Sequence, residues 1–263
     1  MTTSSAPALR LTDVGIGFLG VRALDRVTFD IPRGGVSAVI GPNGAGKTTL
    51  FNCVSGIYRH EGSIALDGEV LDGMRAFRRS DAGIARTFQT PLLLDADDVL
   101  TNVMLGSYTR TRAGLFTPLW APPRARREER TAREWALEII ERVGLGALAS
   151  IPAGALAHGD RRRVEIARAL IARPRLLMLD EPAAGLSEQE ANSLMDLVVA
   201  HGEETGMTCV LVEHDVALVM RYATTIAVLD AGRLLAVGGP DEIQKNPAVV
   251  AAYLGSDVEV EAA

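Results

Sequence analysis

The sequence predicts an α/β fold: a mostly parallel sheet, an antiparallel β part near the N-terminus and an inserted α-helical lobe. Three observations predict it. A short apolar run at 36–40 stops at a glycine-rich loop, and a helical pattern starts near Lys47. From 172 onward strand-like and helix-like segments alternate (176–179, 189–199, 208–212, 215–222, 225–229), the order of a parallel sheet covered on both faces. Between them, 99–171 is helical in pattern and interrupts the alternation.

Taken in order, residues 8–40 read as strands and turns. Leu9, Leu11 and Val14 alternate with polar neighbours, as do Val27, Phe29 and Ile31, and 32–35 makes a turn. A further strand at 63–66 ends at Asp67-Gly68. Leu100, Val103 and Met104 open a helical stretch, which 114–123 breaks. Residues 124–143 form an amphipathic helix with Ala132, Trp135, Ile139, Ile140 and Val143 on one face. The expected organisation is one domain over 8–255: core segments 8–98 and 172–255, a helical subdomain at 99–171, and a frayed tail at 256–263.

Composition narrows the function classes. The chain has 263 residues, is 48% hydrophobic and carries a net charge of -6, which suits a folded core and argues against a nucleic-acid binder. Arginines cluster at the start of the long helix (Arg124, Arg126, Arg127, Arg130, Arg133), but Glu128, Glu129 and Glu134 interleave with them. That pattern reads as a solvated face, with contact to acidic lipid headgroups or a partner as the alternative. Cys53 and Cys209 lie in apolar surroundings and read as buried thiols of a reducing compartment. No secretion signal and no run of roughly 18 apolar residues is present, so the expectation is a soluble intracellular chain that reaches a membrane only through a partner.

The chemistry starts at Gly41-Pro42-Asn43-Gly44-Ala45-Gly46-Lys47-Thr48, a full match to G-x-x-x-x-G-K-[ST]. Triphosphate oxygens need several convergent backbone N–H groups, which glycines permit, and the following helix aims its positive end at them. Lys47 then meets the β and γ phosphates, and Thr48 ligates Mg²⁺. The expected core is therefore a P-loop nucleoside triphosphatase, with ATP and Mg²⁺ as its ligands.

Two later strands end in chemistry-bearing residues. The run 176–179 leads into Asp180-Glu181, read as the metal carboxylate and the carboxylate that polarises an attacking water. The strand at 209–212 leads into Glu213-His214, where the histidine can donate to the γ-phosphate.

This set resembles the ATP-binding-cassette ATPases from about Leu9 to Gly255. The resemblance implies that Gln89, in Ala85-Arg86-Thr87-Phe88-Gln89, is a catalytic and metal-sensing glutamine facing a transmembrane partner, and that His214 is a switch histidine. It implies that Phe18 stacks on adenine, and that Thr49 joins the phosphate loop in holding nucleotide. Leu156-Ala157-His158-Gly159-Asp160 lies where the family carries L-S-G-G-Q, the loop that clamps nucleotide bound by the other subunit of a dimer. Leu156 and Gly159 agree with the pattern. Ala157 removes a hydroxyl, a loss of roughly 1.5–3 kcal/mol for a hydrogen bond to a charged group, and Asp160 is available to cap the helix. Ser187 stands where relatives carry an acid or asparagine.

Gly83-Ile84-Ala85-Arg86-Thr87-Phe88-Gln89, Glu181-Pro182-Ala183-Ala184-Gly185-Leu186 and Ala252-Tyr253-Leu254-Gly255 resemble the larger ATPase subunit of branched-chain amino acid importers. The resemblance implies a peripheral subunit on the cytoplasmic face, beside two permeases, a second ATPase subunit (paralogue or self) and an extracytoplasmic binding protein. Urea or amide importers, lipopolysaccharide exporters, a non-transport ATPase acting on nucleic acid, and a module with little hydrolysis of its own are the competing readings.

Overall fold

The computed structural model describes residues 6–88, 92–109 and 123–260. The first sheet is antiparallel. It contains β1 (Leu9–Phe18), β2 (Val21–Ile31), β4 (Glu61–Leu66) and β5 (Glu69–Val70), in the order β2-β1-β4-β5. The hairpin between β4 and β5 turns on Asp67 and Gly68, both left-handed (φ 51 and 85), the geometry that matches strand twist in a two-residue loop.

The second sheet holds β3 (Val36–Ile40), β6 (Ile84–Arg86), β7 (Leu176–Asp180), β8 (Thr208–Val212), β9 (Thr225–Asp230) and β10 (Arg233–Gly238), in the order β10-β9-β3-β8-β7-β6. Every pairing from β9 to β6 is parallel, and β10 is added antiparallel at the edge. Every residue of β3, β7 and β8 is buried. Their alternating side chains serve two cores. Val36, Ala38, Leu177, Leu179 and Leu211 face one, while Val39, Leu176, Met178, Val210 and Val212 face the other with the first sheet.

Around the second sheet lie α1 (Lys47–Val54), α2 (Ala76–Asp81), α6 (Glu188–Thr205), α7 (Val216–Tyr222) and α8 (Pro240–Lys245). Arg79 is buried and caps the far end of α1, donating from Nη1 to the Cys53 and Val54 carbonyls at 2.6 and 2.9 Å. The inserted lobe consists of α3 (Val99–Met104), α4 (Pro123–Arg142) and α5 (His158–Leu170). Asp98 starts α3 by accepting from the Thr101 N–H at 2.7 Å. Ile139, Ile140 and Val143 of the expected apolar face are buried with Ala136, whereas Ala132 and Trp135 are only partly covered. Of the expected break at 114–123, residues 114–122 lie outside the described residues, and Pro123 opens α4 instead of belonging to the break. The last helix, α9 (Pro247–Val260), continues across the start of the segment read as a tail.

Candidate nucleotide site

Adjacent parallel strands end at the same edge of a sheet, and β3, β8 and β7 are neighbours. Val39 pairs with Val212, and Asp180 pairs with Val212 across the next ladder. The phosphate loop after β3, Glu213-His214 after β8 and Asp180-Glu181 therefore meet along one edge. Two glycines of the loop are irreplaceable on geometric grounds. Gly41 has φ 152, and a Cβ there would lie 2.0 Å from the Leu229 carbonyl oxygen; Gly46 has φ 100, and a Cβ would lie 2.8 Å from the Ala23 carbonyl oxygen.

Lys47 is buried, and its Nζ donates to the carbonyls of Gly41 (2.7 Å) and Pro42 (2.9 Å). Burial pushes its pKa down, while attraction from Glu181 and Asp180 pushes back, so the ammonium and both carboxylates share one electrostatic site. Thr48 is exposed and Thr49 half-buried in the first turn of α1, and Asn43 and Gly44 are exposed on the loop.

Asp180 is 1% exposed. Its Oδ2 accepts from Arg86 at 2.8 Å, while Oδ1 is buried with no hydrogen-bond partner. Arg86 also donates to Asn52 Oδ1 at 2.6 Å and Ser55 Oγ at 3.1 Å, and so ties the strand tip to α1. Mg²⁺ is bound in nucleotide sites by one or two protein oxygens together with phosphates. The orphaned Asp180 oxygen and the exposed Thr48 hydroxyl are protein oxygens of the kind required, and no cluster of three or more His, Cys, Asp or Glu able to cage a metal exists among the described residues.

Glu181 has a left-handed backbone (φ 49), a costly conformation for a residue with a Cβ. Three hydrogen bonds hold it: its N–H donates to Val212 O (2.9 Å), and its carbonyl accepts from Ala184 (3.2 Å) and Arg162 (3.3 Å). The carboxylate Oε1 accepts from His214 Nε2 at 2.9 Å. Beneath them Glu213 accepts from the backbone N–H groups of Ala183 (2.8 Å) and His214 (3.0 Å). Burial raises the Glu213 pKa against those hydrogen bonds, and Glu181 raises it further.

At the other loop, Leu156 precedes α5 and Ala157 occupies its N-cap without a side-chain acceptor. Asp160 sits inside the first turn and does not cap the helix, which corrects the reading of its role. His158 Nε2 donates to the Ala184 carbonyl at 3.1 Å, and Gly159 lies against Glu190: a Cβ there would come 3.0 Å from Glu190 Oε1. Ser187 forms a capping box with Glu190 that starts α6. Phe18 is 42% exposed and meets Tyr58 edge-on, with ring centroids 5.2 Å apart. Gln89 lies outside the described residues.

The profile of the ABC transporter family matches residues 24–184, well over half the chain. The chain belongs to the ATP-binding-cassette family. A second profile, for the branched-chain amino acid ATP-binding cassette transporter, matches 233–259. The high-affinity branched-chain amino acid transport ATP-binding protein BraF of Pseudomonas aeruginosa is 40% identical over 252 residues, covering 95% of this chain and 99% of that protein. The cassette MJ1267 in its ADP conformation has a TM-score of 0.83 at 30% identity, covering 95% of this chain and 100% of its own. A dimeric bacterial cassette, MJ0796, has a TM-score of 0.75 at 25% identity, covering 88% and 98%.

Within this cassette, sequence reading missed the groups that support the strand-tip residues. In the sequence Arg86 stands out only as part of a motif, and Arg162 and Glu165 are not singled out at all. Both members of the latter pair are buried: Arg162 Nη1 donates to Glu165 Oε2 (3.0 Å) and Phe88 O (2.7 Å), and Glu165 Oε1 accepts from Phe88 N–H (2.9 Å). The i, i+3 spacing of Arg162 and Glu165 on one helix is the available signal. Nothing local marked Tyr58 as a neighbour of Phe18.

Proposed function

We propose that the chain is the ATP-hydrolysing subunit of an importer for branched-chain amino acids. The observation that carries the chemistry is the Glu181–His214 hydrogen bond beside Lys47 at the common strand edge. The BraF likeness across nearly the whole chain supports the solute class.

ATP lies with its phosphates on the loop from Gly41 to Thr48 and adenine against Phe18. The Lys47 ammonium moves from the Gly41 and Pro42 carbonyls to the β and γ phosphates, exchanging neutral acceptors for charged ones. Thr48 and Asp180 Oδ1, with Gln89, would hold Mg²⁺, which would neutralise charge on the phosphate oxygens. Glu181 accepts a proton from the attacking water and His214 orients that carboxylate. The strained, triply tethered backbone of Glu181 fixes the carboxylate before nucleotide arrives.

Leu156, Ala157 and Gly159 at the start of α5 face nucleotide bound by a second ATPase subunit, so closure of the pair is driven by ATP and reversed by hydrolysis. No described helix is long and apolar enough to cross a membrane. In this reading the chain works peripherally, at the cytoplasmic face, through two permease subunits, and an extracytoplasmic binding protein delivers the solute.

The test is uptake of labelled leucine, isoleucine and valine by cells lacking the chain, together with identification of what copurifies with it in mild detergent. Restored uptake by the wild-type chain but not by Lys47→Ala, with permeases in the purified complex, is the expected result. Normal uptake without the chain, or a complex free of permeases, would overturn the proposal.

A further inference from the structure

The segment between β7 and α6 is two tight turns in succession. The Ala184 N–H donates to the Glu181 carbonyl at 3.2 Å, and the Leu186 N–H to the Ala183 carbonyl at 3.0 Å. The first turn sets the backbone of Glu181, whose left-handed conformation is costly and persists only where the surroundings over-determine it.

Helix α5 holds this turn from outside at two points, four residues apart on one face of the helix. Arg162 Nη2 reaches the Glu181 carbonyl (3.3 Å), and His158, the first residue of the helix, reaches the Ala184 carbonyl (3.1 Å). A carbonyl only accepts, so the His158 nitrogen in contact, Nε2, carries the proton. The imidazole fits because residue 185 is glycine: with φ 76 it needs no side chain, and a Cβ there would lie 3.0 Å from Nε2. Gly159 repeats the close approach, with Leu186 Cδ2 3.6 Å from where its Cβ would stand. Ala184 thus has both backbone groups engaged, its N–H on Glu181 and its carbonyl on His158.

We propose that His158 is a positioning residue for ATP hydrolysis: by holding the Ala184 carbonyl it fixes the turn from which the Glu181 carboxylate projects. The inference rests on the reading of Glu181 as the group that accepts a proton from the attacking water. His158 acts through Ala184 and the backbone, so its contribution belongs to the chemical step and not to nucleotide affinity.

Steady-state ATPase on the assembled complex, with active sites counted by MgADP binding, compares the wild type with two variants. His158→Phe keeps a flat ring over Gly185 without a donor, and His158→Gln restores an N–H. His158→Phe is expected to lower kcat per site about two- to tenfold, the range for one neutral hydrogen bond. KM for ATP should stay unchanged, and His158→Gln should recover most of the rate. Should His158→Phe fail to fold, His158→Ala replaces it, with the same loss expected. An unchanged kcat in the variant measured, a raised KM in place of that loss, or no recovery with glutamine overturns the proposal. Glu181→Gln is assayed alongside. Near wild-type turnover in it removes the reading of Glu181 and the proposal together, whereas an inactive Glu181→Gln beside a fully active His158→Phe leaves that reading standing and overturns the role of His158 alone.

Discussion

His214 Nε2 donates to Glu181 Oε1 across 2.9 Å, although the two residues are 33 positions apart in the chain. The bond exists because β7 and β8 are hydrogen-bonded neighbours, so Asp180 and Val212 stand side by side and the next residues meet beyond the sheet edge. Removing His214 deletes the donor that orients the carboxylate. His214→Ala is expected to lower kcat about 10²- to 10³-fold, the usual cost of losing one preorganised donor, with ATP affinity nearly unchanged. His214→Gln, which retains an N–H donor, is expected to recover part of the rate. Steady-state ATPase and fluorescent-nucleotide binding on the assembled complex check both.

The buried Arg162–Glu165 pair joins three segments: α5, the strand end at Phe88 and the carbonyl of Glu181. Arg162→Leu strands a buried carboxylate and is expected to destabilise the fold by about 3–5 kcal/mol. Replacing both members by leucine removes that penalty, so the double variant regains most of the stability. Turnover stays low in both, because the Phe88 and Glu181 carbonyls lose their common donor. Urea unfolding of the three proteins, with ATPase rates alongside, measures the two effects separately.

Arg86 neutralises Asp180 from one side while Oδ1 remains available on the other. Arg86→Gln is expected to lower Tm most in the absence of nucleotide. MgATP should then raise the variant's Tm by more than it raises that of the wild type, since a divalent cation replaces the lost charge. Melting curves with and without MgATP test this; equal shifts would contradict it.

How much could be read from the sequence depended on whether a signal was local. The phosphate loop and the Asp180-Glu181 pair declare themselves because each is a contiguous run at a strand end. The antiparallel edge strand β10 was missed: its hairpin turns on Ala231 and Gly232, and Ala-Gly is a weaker turn signal than Asp67-Gly68. Arg86, Arg162 and Glu213 were missed as supports because their partners lie 94, 74 and 30 positions away, distances that only strand order collapses. Asp160, available in the sequence as a cap, falls inside the first turn because α5 starts three residues earlier, with Ala157 at its N-cap.

The two thiols carry a pH prediction. Burial pushes Cys53 up to about 11 and Cys209 up to about 12, from an ordinary 9.0. The unfolded chain therefore loses these protons first, and the stability they contribute is complete below about pH 9 and lost as pH rises through the folded values. Wild-type stability should fall more steeply between pH 9 and 11 than that of Cys53→Ala/Cys209→Ala, by up to about 1.4 kcal/mol per pH unit for each thiol. Urea titrations at pH 8, 9, 10 and 11 give the comparison, and parallel curves would refute it.

The most direct test of the nucleotide site is ATP turnover by Glu181→Gln in the assembled complex, with bound nucleotide identified afterwards. The account predicts that the variant retains ATP, holds the two ATPase subunits closed and releases no phosphate. Phosphate release at near wild-type rate would contradict it.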